Sequence, residues 1–114
     1  MSGSTSACGE LAFTEGQLPI EISINRPAAA LSEMASIARV TERAGFHTIR
    51  IGDMQSTSRE LYCALTLVAE HTSTLRFGPG VTNPVTRHPS VAASALASLH
   101  AAVQRTGRAG YRAW

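Results

Sequence analysis

The stretch Leu75–Pro89 reads LRFGPGVTNPVTRHP. It begins as an apolar strand, Leu75 to Val81, which Gly78, Pro79 and Gly80 interrupt from within. Proline has no N–H to give a ladder and glycine has no side chain to pack, so these residues do not sustain a regular central strand. They let backbone approach a flat group closely, or they form a bulge or turn; the residues alone leave these readings open. Thr82 and Asn83 follow at the C-terminal end of the strand. Their short polar groups suit ligand binding or plain turn chemistry ahead of Pro84. His88-Pro89 then opens a helix, with proline at its favoured first-turn position. Ala92, Ala95, Leu96, Leu99, Ala102 and Val103 make the buried stripe of that helix.

Upstream, the same unit occurs twice. Ile20, Ile22 and Ile24 alternate with Glu21, Ser23 and Asn25, a strand pattern that Arg26-Pro27 breaks. Leu31, Met34, Ile37, Ala38 and Thr41 then recur at helical spacing, with Ser32 the expected N-cap and Gly45 the expected C-terminal glycine. Phe46–Gly52, FHTIRIG, reads as a second strand rich in β-branched residues. Ser58 and Glu60 open a second helix with the stripe Leu61, Ala64, Leu65 and Val68, and His71-Thr72-Ser73 closes it.

Strands are thus expected near 19–25, 46–52 and 75–82, a repeat of about 28 residues. Alternating strand and helix implies parallel strands joined by crossovers. A barrel of eight such units has about 250 residues, roughly 30 per unit. The period alone does not separate a barrel from a doubly wound sheet.

The segment GPGVTNPVTRHP decides between them by resemblance. With the apolar first strand, the helix ending in ERAGF, the strand ending in GD, and a Thr-Leu-Arg strand start, it resembles the luciferase-like superfamily over about residues 20–103. The nearest branch is the methylenetetrahydromethanopterin reductase-like enzymes. The resemblance implies the N-terminal part of a TIM (β/α)8 barrel, about three β/α units and incomplete. It implies an oxidoreductase or monooxygenase that uses coenzyme F420, a 5-deazaflavin, or alternatively FMN, on a small-molecule substrate. Complete members of the family are often homo-oligomers. In the family a non-proline cis peptide backs the cofactor ring, by position Gly80-Val81 here, and Gly80, Val81, Thr82 and Asn83 are the implied cofactor-binding residues.

Asp53 is the only aspartate in the chain and stands at the end of the second strand. Several family members carry an Asp-His pair there; here Met54 replaces the histidine, which puts the usual acid/base role in doubt. Asp53 and Gln55 are therefore the catalytic candidates, with capping of a turn as the plainer role for Asp53. Arg87 and His88, at a helix start, suit contact with an anion, although His-Pro is also an ordinary way to begin a helix. Parallel strands place all their C-termini together, so Asn25, Asp53, Thr82 and Asn83 are expected on one face.

Composition excludes several classes. The net charge of +2, with ten arginines and no lysine, is too small to point to nucleic acid. No run reaches the roughly 20 apolar residues of a membrane span. The first ten residues, MSGSTSACGE, lack the basic and apolar regions of a signal peptide, so a cytoplasmic location is expected. Cys8 and Cys63 fit no metal motif, no Ser-His-Asp arrangement stands out, and no metal site is expected. Residues 1–18 read as a flexible leader, 19–104 as a partial barrel domain, and 105–114 as a tail unlike the family. In the family an acidic pair, a Ser-Gly-Gly-Arg turn and an apolar fourth strand follow the third helix; here HAAVQRTGRAGYRAW stands instead. A truncated chain without activity of its own is thus the alternative to an enzyme.

Overall fold

The computed structural model describes residues 20–105; the expected leader and the tail from 106 onward lie outside the described residues. Six elements alternate: β1 (Ser23–Pro27), α1 (Leu31–Arg43), β2 (Thr48–Gly52), α2 (Leu61–His71), β3 (Arg76–Val81) and α3 (Pro89–Arg105). The sheet order is β1-β2-β3, and both pairs are parallel. This order excludes a wound sheet of the 2-1-3 type. A dinucleotide-binding half would need a glycine-rich turn after its first strand, and β1 is followed by Ala28, Ala29 and Ala30.

The strand pleat sorts residues onto two faces. Ile24, Ile49 and Phe77 form one row across the sheet, and Asn25, Arg50 and Gly78 form the next. Ile49, Ile51 and Phe77 are buried together with Met34 and Ala38 of α1, Leu61, Ala64, Leu65 and Val68 of α2, and Leu99 and Val103 of α3. One face of the sheet thus meets the helices, and the face bearing Asn25, Arg50 and Gly78 turns away from them. Helix α2 sits in the middle, packed against α1 and α3. Truncating a core side chain such as Leu65 to alanine is worth about 2–5 kcal/mol.

The helix boundaries follow local chemistry. Gly45, at φ +92°, takes the left-handed position after α1. Its N–H donates to the Glu42 carbonyl, and the Phe46 N–H donates to that of Thr41, the paired bonds of a Schellman motif. At the start of α2 the Glu60 carboxylate accepts the Cys63 N–H at 2.8 Å. Helix α2 ends at His71, as its sequence indicates.

Four expectations are corrected. The N-cap of α1 is Ala30, without a side-chain cap, and Ser32 lies inside the helix. Strand β1 begins at Ser23 and includes Pro27; Ile20 and Ile22 are exposed, so the alternating isoleucines stand largely outside it. Proline is accommodated because β1 is an edge of the described sheet, where one side of the ladder needs no donor. Ala102 is exposed, and the α3 stripe is carried by Leu99 and Val103, with Ala92, Ala95 and Leu96 half-buried. The peptide bond between Gly80 and Val81 is trans, as are all the others among the described residues. The strand irregularity is a bulge: Ile51 pairs with Pro79 and Gly52 with Val81, leaving Gly80 as the extra residue. A bulge accommodates the glycine-proline-glycine break without cis geometry.

Candidate functional site

Parallel pairing brings the strand ends together. Strand β2 ends at Gly52 and β3 at Val81, and the Asp53 N–H donates to the Val81 carbonyl at 3.1 Å. Asp53 and Thr82 therefore stand side by side, one repeat apart. The Thr82 hydroxyl donates to Asp53 Oδ2 at 2.7 Å, and Gln55 Nε2 donates to Oδ1 at 2.8 Å.

Arg87 completes this cluster. Its Nε donates to Asp53 Oδ2 at 3.0 Å, and its Nη2 reaches Asp53 Oδ1 at 3.5 Å and the Glu60 carboxylate. The guanidinium lies over the Tyr62 ring, 4.8 Å from its centre. The Asp53 side chain is only 4% exposed. Burial opposes its charge, but hydrogen bonds from Arg87, Thr82 and Gln55 outweigh that and hold the carboxyl below the usual carboxylate range. Asp53 is therefore ionised, with both oxygens engaged. Burial likewise raises Glu60, and the Cys63 N–H and Arg87 more than reverse it. Burial pushes the Tyr62 hydroxyl up.

Asn83 turns the chain. Its Oδ1 accepts the Val85 N–H at 2.9 Å and the Thr86 N–H at 3.0 Å, the turn chemistry its sequence allows. Its amide nitrogen has no partner among the described residues. Gly80 is fixed by a close approach: a Cβ there would lie 2.5 Å from Asn25 Oδ1. Beside it Val81 is 69% exposed and Met54 47% exposed. Exposed Val81 and Met54 thus stand at the same end of the sheet as the polar side chains of Asn25, Thr82 and Asn83. Asn25 lies against Gly80, and Asp53 is bonded to Thr82, which Asn83 follows, so the four stand at the same end of the sheet.

Arg87 and His88, the candidates for an anion contact, both bond within the chain. Arg87 is bound to two carboxylates, and His88 Nδ1 accepts the Ser90 N–H at 3.2 Å, so the start of α3 is capped by its own chain. Glu60, Tyr62 and Arg87 are the members of the cluster that the sequence did not bring together. The 29-residue step from Asp53 to Thr82 follows from the strand repeat, but no linear spacing marks the partners of Arg87. Among the described residues no helix is long and apolar enough to cross a membrane, and no three His, Cys, Asp or Glu side chains gather as metal ligands.

Known proteins resemble this chain in sequence and fold. A family model described as luciferase-like monooxygenase matches residues 14–110. The 5,10-methylenetetrahydromethanopterin reductase of Methanolobus tindarius is 35% identical over 74 residues, covering 65% of this chain and 22% of that protein. Its counterpart from Methanopyrus kandleri is 40% identical over 68 residues, covering 60% of this chain and 19% of that protein. The solved structure of the coenzyme F420-dependent tetrahydromethanopterin reductase from Methanopyrus kandleri superposes with a TM-score of 0.64 at 36% identity, over 70% of this chain and 23% of that one. The chain therefore spans less than a quarter of the length of these relatives. Its parallel three-stranded sheet corresponds to part of their TIM barrel, and the chain belongs to the luciferase-like monooxygenase family.

Proposed function

We propose that the C-terminal end of this sheet holds the ring of coenzyme F420, and that residues 19–104 are the barrel segment of an oxidoreductase acting on a small substrate. The observation that carries this reading is the Gly80 bulge, with exposed Val81 beside it and polar groups at its margin. A conjugated three-ring system has apolar faces and a polar perimeter, so it needs such a platform. The residues fit it. Val81 gives the face a dry contact. The Thr82 hydroxyl, its proton committed to Asp53, offers lone pairs to a ring N–H. The free Asn83 amide donates to a ring carbonyl or to the phosphate-bearing chain. When bound, a deazaflavin supplies hydride transfer, and the protein sets its orientation and surroundings.

Asp53 and Gln55 act from beneath this platform. With its charge matched by Arg87, Asp53 orients the Thr82 hydroxyl, and Gln55 keeps its own carbonyl oxygen for a ligand. Reductase relatives that use F420 favour the deazaflavin over FMN. The same reading carries a cytoplasmic location and the homo-oligomeric habit of complete family members.

Titrating the chain with coenzyme F420 and, separately, with FMN tests the reading through the fluorescence of each cofactor. Saturable binding of F420 at about micromolar concentration, tighter than FMN, is expected. Tighter binding of FMN would move the assignment to a flavin, and saturation by neither would overturn it.

A further inference from the structure

We propose that Arg87 is the positioning residue of this site: its guanidinium locks the β3–α3 loop onto the end of β2 and the start of α2. In doing so it fixes the shape in which Thr82 and Asn83 meet a ligand. The identity of that ligand rests on the cofactor reading above; the lock rests on geometry alone.

The loop has little else to hold it. Residues 82–86 are all exposed, Val85 at 91%, so no buried side chain anchors them. Within the loop the Asn83 oxygens accept the N–H groups of Val85, Thr86 and Arg87. These bonds shape the turn but do not tie it to anything. Among the described residues, every hydrogen bond from Thr82–Arg87 to another element ends on Asp53 or Glu60. Asp53 follows β2, and Glu60 caps α2. One planar cation thus ties three consecutive segments of the barrel wall together. Its side chain is 15% exposed, and the Tyr62 ring lies against it, which shields the ion pairs from solvent.

Arginine is suited to this and lysine is not. Its fork has donors in fixed directions, so Nε and Nη2 address Asp53 while Nη2 also reaches Glu60. A single ammonium engages one carboxylate well and leaves the other unmatched. Because the loop adds no side chain to the buried core, losing the lock loosens the loop and leaves the packing of α1, α2 and α3 intact. A loop that must be ordered by its ligand binds that ligand more weakly than one already in shape.

The test compares Arg87→Ala, Arg87→Lys and Glu42→Gln in the full chain. Glu42 holds the opposite end of the sheet, through the N–H groups of Ser73, Thr74 and Leu75, and so reports a loss of stability away from the site. Amide hydrogen exchange of Val85, Thr86 and Arg87 and fluorescence titration with F420 are the two readouts. In Arg87→Ala these amides should exchange faster and affinity should fall about tenfold or more, with Arg87→Lys intermediate. In Glu42→Gln the loop amides and the affinity should match the parent. Unchanged loop exchange and unchanged affinity in Arg87→Ala would overturn the proposal, as would an equal loss of affinity in Glu42→Gln. Faster loop exchange in Arg87→Ala, with no F420 binding by the parent, would uphold the lock and sink the cofactor reading instead.

Discussion

Two residues without a charge show how tightly the strand ends are specified. Gly80 lies against the Asn25 amide, and a side chain there meets Asn25 Oδ1 at 2.5 Å. The obstacle is the tip of a short side chain, so it can turn aside, but only by giving up its place at the rim. Gly80→Ala should therefore cost about 1 kcal/mol of stability, the low end for an overfilled site. Most of that cost should disappear when Asn25 is also made alanine. Urea unfolding of the two single variants and the double variant measures the coupling; strictly additive effects would mean that the two residues do not oppose each other. The need for glycine here was legible in LRFGPGV, because no regular strand tolerates that run. Which neighbour demands it was not, since Asn25 is 55 residues away and only the sheet register brings it near. The same holds for Arg87: its position after the third strand is readable, whereas its choice of Asp53 and Glu60 over an external anion depends on loop shape. The trans bond at Gly80-Val81 shows the reverse case, in which the family resemblance implied a feature that the local bulge replaces.

The elements themselves follow the sequence where periodicity is strong and depart from it at their ends. All three helices and all three strands stand in the expected order, because a change of apolar period from two to near 3.6 marks each boundary. Strand β1 is displaced because Ile20 and Ile22 alternate correctly but have little to pack against, while Ile24 pairs beside Ile49. Helix α1 starts without a side-chain cap, so its stability comes from Met34, Ala38 and the Gly45 turn rather than from Ser32. At its far end Glu42 does what a cap residue would do for the next unit. Its carboxylate accepts the N–H groups of Ser73, Thr74 and Leu75 at 2.9, 2.7 and 2.9 Å. Burial raises the Glu42 carboxyl, but these bonds outweigh it and hold the group below its ordinary value of 4.5. A carboxyl depressed in the folded state adds stability above its unfolded value, and that stability is lost as pH falls through the folded one. Glu42→Gln should thus be less stable than the parent at pH 7, by about 1–2 kcal/mol because solvent reaches the carboxylate. The gap should close as the medium is acidified below about 4.5. A difference in urea midpoint that stays constant from neutral to acid pH would refute this account of the clamp.

The described residues form a section of barrel wall, with one face closed by helices and polar groups gathered at the C-terminal ends of its strands. Parallel order forces that gathering: every strand runs the same way, so every βα loop opens on the same side. That is why the strand pattern alone brings Asn25, Asp53, Thr82 and Asn83 to one end of the sheet, and why the cluster around Arg87 falls there too. In the proposed reading Gly80–Asn83 receives a deazaflavin ring. The most direct test is to record amide chemical shifts of the isotope-labelled chain while coenzyme F420 is added. The shifts should concentrate in Gly52–Gln55 and Gly80–Arg87, with the helix-packed rows of Ile49 and Phe77 little affected. Shifts centred on the helices, or none at concentrations that saturate known deazaflavin enzymes, would contradict it.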